Sequence, residues 1–306
     1  MHRSSGRWQT GLLLTLVTCT LWGILPIAAK GVLLELDAYT LNFYRFAISG
    51  LLLWPYLIRR RQTPQLSALK TGNALRWVLL CGLFLAGNYT CYILAVERMT
   101  PGGAQVLIQL AVVLFLVVNV VLFKEHFSPR QWLGCLLFVV GLLVFFHRRI
   151  LAMAEGFDAY AVGMGLMVLS ACSWACYASL QKQLLTRFTS PQIMLMLYGL
   201  GTLGFLPWAH PLQILQLSPP TLLLLLFCGA STLIGSGSFS EALAHWEGSR
   251  ISAVLATTPL FTLIFMWGLS FYPGFAIEQE PLTPIVLSGA LMVVLGAALA
   301  AVGRAR

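Results

Sequence analysis

Arg45 stands about two turns into the apolar run from Ala38 to Leu57, and it has the chemistry to hold an anion. A cation at membrane depth costs roughly 2.5–3.5 kcal/mol on insertion scales, so its side chain needs a cavity, a partner or a route to the headgroups. Facing inward, its planar fork suits a carboxylate; facing outward, it snorkels to the membrane surface. Both readings stand on the residues alone. Gln105 and Gln109 lie at i and i+4 on one helix face, where two amides either bind a ligand's carboxylate or hydroxyls or bridge two helices. Asn88-Tyr89-Thr90 interrupts one apolar run and Gly235-Ser236-Gly237 another, either as cavity walls, with Tyr92 and Phe239 further on, or as small residues for close packing. Trp22 and Trp174, with Tyr177 a turn below, sit near the middle of their runs as packing or cavity wall, and Ser252, Thr257 and Thr258 bring hydroxyls to another run ahead of Pro259. Glu241, with His245 at i+4, is the second charge within a run. It would carry a coupling proton or form a rim salt bridge to Arg250 or Lys182.

The elements that carry these groups must live in lipid. Hydrophobic residues make up 58% of the chain and charged residues 9%, with a mean hydropathy of +0.84. A soluble domain carries roughly 25% charged residues. Crossing about 30 Å of hydrocarbon takes about 20 helical residues. Ten runs approach that length: Thr10 to Ala29, Ala38 to Leu57, Trp77 to Ala95, Gly102 to Phe123, Trp132 to Phe146, Ala161 to Leu180, Pro191 to Trp208, Leu222 to Ala244, Ile251 to Phe271 and Pro284 to Val302. The fold class expected is an all-α integral membrane protein of ten transmembrane helices. The first run follows His2, Arg3 and Arg7 as a signal peptide would, yet it is longer than the roughly 7 to 15 residues of such a core. Pro26 inside it lacks an amide hydrogen and is expected to bend the helix.

The runs come in two copies. Cys81-Gly82 falls on Cys228-Gly229 at an offset of 147 (228 − 81), which also places Ala95 on Ala242 and Ala104-Gln105-Val106 on Ile251-Ser252-Ala253. Trp22 and Lys30 fall on Trp174 and Lys182 at 152 (174 − 22). Glu125, Ser128-Pro129, Gly134 and Gly141 fall on Glu280, Thr283-Pro284, Gly289 and Gly296 at 155 (280 − 125). Five spans per copy is an odd number, so the second copy must enter the bilayer upside down. The expected organisation is two inverted five-helix repeats, residues 1–150 and 151–306, about an axis in the membrane plane. That arrangement points to a transporter with its site near the bilayer centre.

With the N-terminus inside, the cytoplasmic segments hold Arg59, Arg60, Arg61, Lys70, Arg76, Lys124, Arg130, Arg187 and Arg250 among others, while Lys30, Arg98, Arg148 and Arg149 fall outside. The bias fits both termini in the cytoplasm, with the Arg148-Arg149 pair the contrary signal. The net charge of +9 is thus a topology signal, and no nucleic-acid partner is expected. The seven cysteines lie in the apolar runs, are odd in number and include no Cys-x-x-Cys pair, so neither disulfide nor metal site is expected, and no cofactor is called for. A membrane enzyme would need a nucleophile with a nearby base or a His-Glu-x-x-His motif, and a channel would need a charged ring repeated in both halves. Neither pattern is in the chain.

The ordered set Leu21-Trp22-Gly23, Asn42-Phe43-Tyr44-Arg45-Phe46, Thr100-Pro101 and Lys124-Glu125 resembles the EamA-type branch of the drug/metabolite transporter superfamily, over both halves. The resemblance implies a multi-pass inner-membrane (plasma-membrane) secondary transporter, often an exporter of amino acids or related compounds, working by alternating access. It implies a small-molecule solute as partner, with Asn42 among the solute-facing candidates; a proton is a candidate coupling ion through Glu241. The second half departs from the pattern: Leu197-Tyr198 stand where Arg45 would be matched, and Phe271-Tyr272 replace the Lys-Glu pair. A nucleotide-sugar or phosphorylated-metabolite exchanger is the alternative, and it should bring several basic residues together inside the bundle. Arg45 alone qualifies, which favours a singly charged or zwitterionic solute.

Overall fold

The computed structural model describes residues 7–64, 69, 72–123, 128–153, 156–246, 248–272 and 277–302, and among these every regular element is a helix. In chain order they are α1 (Trp8–Val32), α2 (Ala38–Arg59), α3 (Ala74–Arg98), α4 (Pro101–Ile108), α5 (Leu110–Phe123), α6 (Pro129–Phe145), α7 (His147–Met153), α8 (Ala159–Leu184), α9 (Ser190–Phe205), a 3₁₀ turn (Pro211–Gln216), α10 (Pro219–His245), α11 (Gly248–Leu255), α12 (Thr258–Leu269) and α13 (Pro284–Val302). Local chemistry sets their starts. Asp37 caps α2 by accepting from the amides of Tyr39 and Thr40, and Thr100 caps α4 by accepting from Gly103, with Pro101 in the first turn. Ser128 and Gln131 form a reciprocal capping box on α6, while Thr283 Oγ1 accepts from the Val286 amide at the start of α13. The Ser/Thr-Pro pairs that mark the sequence repeat are therefore helix N-termini.

Six described helical segments are long and apolar enough to cross a membrane by length and composition, or up to seven if α6 and α7, bent by 66°, make one span. The other expected runs are helical too, but α2 is diluted by the polar residues around Asn42 and Arg45, and α6 and α9 are 17 and 16 residues long. Exposed leucines such as Leu51, Leu83, Leu203 and Leu223 give the bundle an apolar outer surface, as lipid requires. Pro26 sits inside α1 without ending it. The fourth and ninth expected runs are each interrupted, at Gln109 and at Ala256 and Thr257. At the second break the cause is Pro259, which cannot donate to the Leu255 carbonyl four residues back; the Thr258 hydroxyl takes that carbonyl at 2.6 Å instead.

The main helix pairings recur when the halves are exchanged. The α1–α10 pair mirrors α8–α3, the α1–α12 pair mirrors α8–α5, and α2–α10 mirrors α9–α3; α2 packs on its own counterpart α9, and α6 on α13. The last pair shows the relation atom by atom. A Cβ on Gly134 would lie 2.4 Å from the Ala300 nitrogen, and on its counterpart Gly289 2.5 Å from the nitrogen of Phe145, the counterpart of Ala300. Gly141 against Val293 (2.6 Å) likewise mirrors Gly296 against Phe138 (2.4 Å). Only glycine lets these backbones approach, as is usual where membrane helices cross closely. Around this frame one buried apolar cluster gathers Ala29, Ile93, Phe138 and Val293, and a second gathers Phe46, Leu57, Cys81 and Tyr198.

Candidate functional site

Beside the second cluster, α2 carries Arg45 inward. Its side chain is 3% exposed, so the snorkelling alternative is not the arrangement observed. Nε donates to Thr232 Oγ1 of α10 at 3.2 Å, Cζ lies 4.5 Å from the centre of the Tyr89 ring, and Nη1 has no hydrogen-bond partner. Thr232 is free to accept because its own proton goes to the Cys228 carbonyl at 2.8 Å. Among the described ion pairs none involves Arg45. Asn42, less than one turn earlier and fully buried, donates to the Tyr89 carbonyl at 3.1 Å and leaves Oδ1 unpartnered. The Tyr92 and Tyr198 hydroxyls lie within electrostatic reach of the guanidinium. Tyr198 Oη and Ser231 Oγ are also buried without partners. Buried polar groups are nearly always satisfied, so the open Nη1 of Arg45 and Oδ1 of Asn42, close together on α2, make this cluster a candidate binding site.

The remaining candidates divide. Gln105 is buried and its Oε1 stands 3.5 Å from the Tyr92 hydroxyl, at the margin of the Arg45 cluster; Ser236 faces Tyr198, and Tyr177 lies near Tyr198 and Tyr89. Others are engaged elsewhere. Asn88 donates to the carbonyl (3.0 Å) and hydroxyl (2.8 Å) of Ser170, which donates back to the Asn88 carbonyl at 3.1 Å, a closed clamp between α3 and α8. Its counterpart Gly235 accepts from Thr18 at 3.2 Å and leaves room for Trp22, and Thr18 is the counterpart of Ser170. These two positions pack helices, while Gly237 has open space beside it. Trp22 meets Phe239 at 6.1 Å, Trp174 meets Phe115 edge-on at 5.9 Å, and Thr257 returns its proton to the Val254 carbonyl at 2.6 Å. Glu241 is 64% exposed and pairs with His245 at 3.3 Å, a rim arrangement. Lys124 and Glu125 lie outside the described residues.

Gln109 occupies a special place. Its side chain donates to the carbonyls of Ala256 (3.1 Å) and Leu255 (3.4 Å), so the amide at one helix interruption serves the carbonyls freed at the other. Ala256 is the counterpart of Gln109 itself. The pseudo-two-fold axis therefore passes between them, as it passes between Phe46 and its counterpart Tyr198, whose rings are 5.9 Å apart. Thr232, Ser231 and Tyr198 were not singled out from the sequence. The first two form a polar pair inside an apolar run, a signal that was there to be used.

A groove of about 640 Å³ lies between α3 and α9, lined by Gly82, Ala86 and Thr90 on one side and Gly201, Gly204 and Phe205 on the other, with Tyr39 and Trp208 also in its wall.

The family model described as the EamA-like transporter family matches the chain twice, over residues 9–147 and 161–302. A Haemophilus influenzae protein described as an uncharacterized transporter is 35% identical over 96% of this chain and 95% of its own length. The Escherichia coli K12 protein described as the uncharacterized inner membrane transporter YhbE is 36% identical over 96% of this chain and 91% of its own. More distantly, an E. coli K12 protein described as a probable amino-acid metabolite efflux pump is 22% identical over 92% of both chains. One crystal structure shares the fold with a TM-score of 0.63 and 19% identity, covering 95% of this chain and 96% of its own.

Proposed function

Since the chain belongs to the EamA-like transporter family and is a multi-pass membrane transporter, we propose that it exports small amphipathic metabolites bearing a carboxylate, amino acids or their relatives, with Arg45 as the anchor for the carboxylate. The single observation that carries this reading is the buried guanidinium with an open Nη1 and no acidic partner among the described residues. An ion left alone in a low-dielectric interior is strongly unfavourable, and a solute carboxylate accepting from Nη1 offsets that cost only while it is bound. Tyr89 holds the guanidinium from its face and Thr232 from its edge, leaving one side of the fork for the solute. The open Asn42 Oδ1, one turn away, suits an ammonium or hydroxyl on the same solute. A single cation here argues against a phosphorylated solute, which needs several.

In this reading the two halves are inverted repeats that rock about the axis between Gln109 and Ala256 to open the site to either side in turn. The distant relative described as an amino-acid metabolite efflux pump supports the solute class.

Flux assays in vesicles, paired with chromatography of detergent-solubilised protein, test the anchor. Arg45→Ala should yield folded protein with amino-acid efflux reduced at least about tenfold, and Arg45→Lys should recover only part of it, because an ammonium cannot form the planar fork. Unchanged efflux in the Ala variant would remove Arg45 from the solute site.

A further inference from the structure

The groove between α3 and α9 faces outward from the bundle. Leu83 in its wall and Leu203 beside it are 66% and 68% exposed, so the groove opens sideways onto the apolar surface. Its lining is mostly glycine, alanine and leucine with few polar groups, and its 640 Å³ falls within the roughly 300–1,000 Å³ of small-molecule sites. Two aromatic rings, Phe46 and Tyr89, stand between its wall and Arg45. Phe205, in the groove wall, stacks on Phe46 at 5.7 Å, and Gly201 admits the Phe46 ring, since a Cβ there would lie 2.8 Å from it. Phe46 in turn lies 4.6 Å from the Tyr89 ring, and that same ring lies 4.5 Å from Arg45 Cζ. An apolar trough open to lipid thus ends two rings short of a buried cation whose Nη1 has no hydrogen-bond partner.

We infer that this groove is a side entrance and binding site for the hydrocarbon part of an amphipathic carboxylate, whose charged end passes Phe46 and Tyr89 to reach Arg45. The inference rests on Arg45 as carboxylate anchor and names the kind of molecule it takes: an anion with an apolar tail that partitions into the bilayer before it binds. Charge complementarity selects this occupant over a phospholipid chain, for a phospholipid tail alone brings nothing to the guanidinium.

The test uses the full chain in amphipol and a series of ω-phenyl carboxylates, from benzoate to 8-phenyloctanoate, read by ligand-induced thermal stabilisation. Affinity should rise along the series, by up to about fourfold per methylene, until the groove is full. Gly204→Leu is the diagnostic variant, because nothing lies within 4 Å of a Cβ at that position and the new side chain enters the groove without disturbing the packing. It should bind benzoate as the wild type does and lose the gain with chain length, whereas Arg45→Ala should lose response to every member. A wild-type affinity independent of chain length, or a gain that survives Gly204→Leu, overturns the groove while leaving the Arg45 anchor in place. A gain that survives Arg45→Ala makes the groove a lipid-chain site with no link to the anchor, which also overturns the inference. No stabilisation by any member removes both readings.

Discussion

Arg45 and Asn88 were both conspicuous as polar residues at membrane depth, and the fold uses them in opposite ways. Asn88 spends its amide protons on Ser170 and receives the Ser170 proton at its own carbonyl, so its hydrogen bonding is committed to holding α3 against α8. Arg45 keeps a donor in reserve. Sequence alone could not separate the two, since what distinguishes them is the partner supplied by another helix. The difference is measurable. Asn88→Ala should lower stability by about 1 kcal/mol, in the range of interhelical hydrogen bonds in membranes, with little change in transport per folded molecule. Transport that collapses at unchanged stability would put Asn88 in the solute path.

At the scale of elements, helix positions were legible because an apolar run of membrane length has few other ways to satisfy its backbone. The interruptions were not. Pro259 announced one of them, four residues after the carbonyl it cannot serve, but the break at Gln109 has no proline behind it and shows only in the fold. The polar ties at the ends of the helices were likewise invisible, because they join residues far apart in the chain. Glu280 accepts from Tyr160 at 2.6 Å and from Thr100, linking the start of α8 to the start of α4, and Lys30 caps the carbonyl end of α3 at Val96, Glu97 and Met99 with distances of 2.9, 2.6 and 3.0 Å. Glu35, after α1, accepts from the Ser218 amide and hydroxyl and from Thr221 at the start of α10, at 2.8, 2.6 and 2.7 Å. Those donors favour its charged form, the Ser218 hydroxyl most, and hold its carboxyl below the ordinary value of 4.5. A depressed carboxyl contributes stability that is present above the ordinary value and lost as pH falls through the folded one. The melting temperature should therefore drop on acidification below about pH 4.5, and Glu35→Gln should show a smaller drop over the same window. Parallel curves for the two proteins would show that the tie between α1 and α10 does not depend on the charge.

For the whole molecule, the repeat was the most informative part of the sequence, and its offsets recur in the contacts: Gln109 meets its counterpart Ala256, Phe46 meets Tyr198, and Gly134 meets Ala300 as Gly289 meets Phe145. Whether Asn88 to Thr90 and Gly235 to Gly237 are cavity walls or packing positions was not legible, since equal depth in two repeats does not decide whether a position faces the axis or a neighbouring helix. The bias of the basic loops predicts that both termini lie in the cytoplasm. Reporter tags after Arg306 and within residues 59–76 should both read cytoplasmic, and a periplasmic signal from either would contradict the inverted arrangement.

Position 45 lies next to Phe46, one of the residues that meet their own counterparts across the axis, and its match in the second half is Leu197. Had duplication left an arginine in both places, two like charges would converge in a medium that screens them poorly. Two copies of the first half, paired antiparallel about a two-fold axis as the fused halves are, would bring both charges toward their centre. The fused chain carries the charge in one half and a leucine in the other, so replacing either half by a second copy of its partner would double the central charge or delete it.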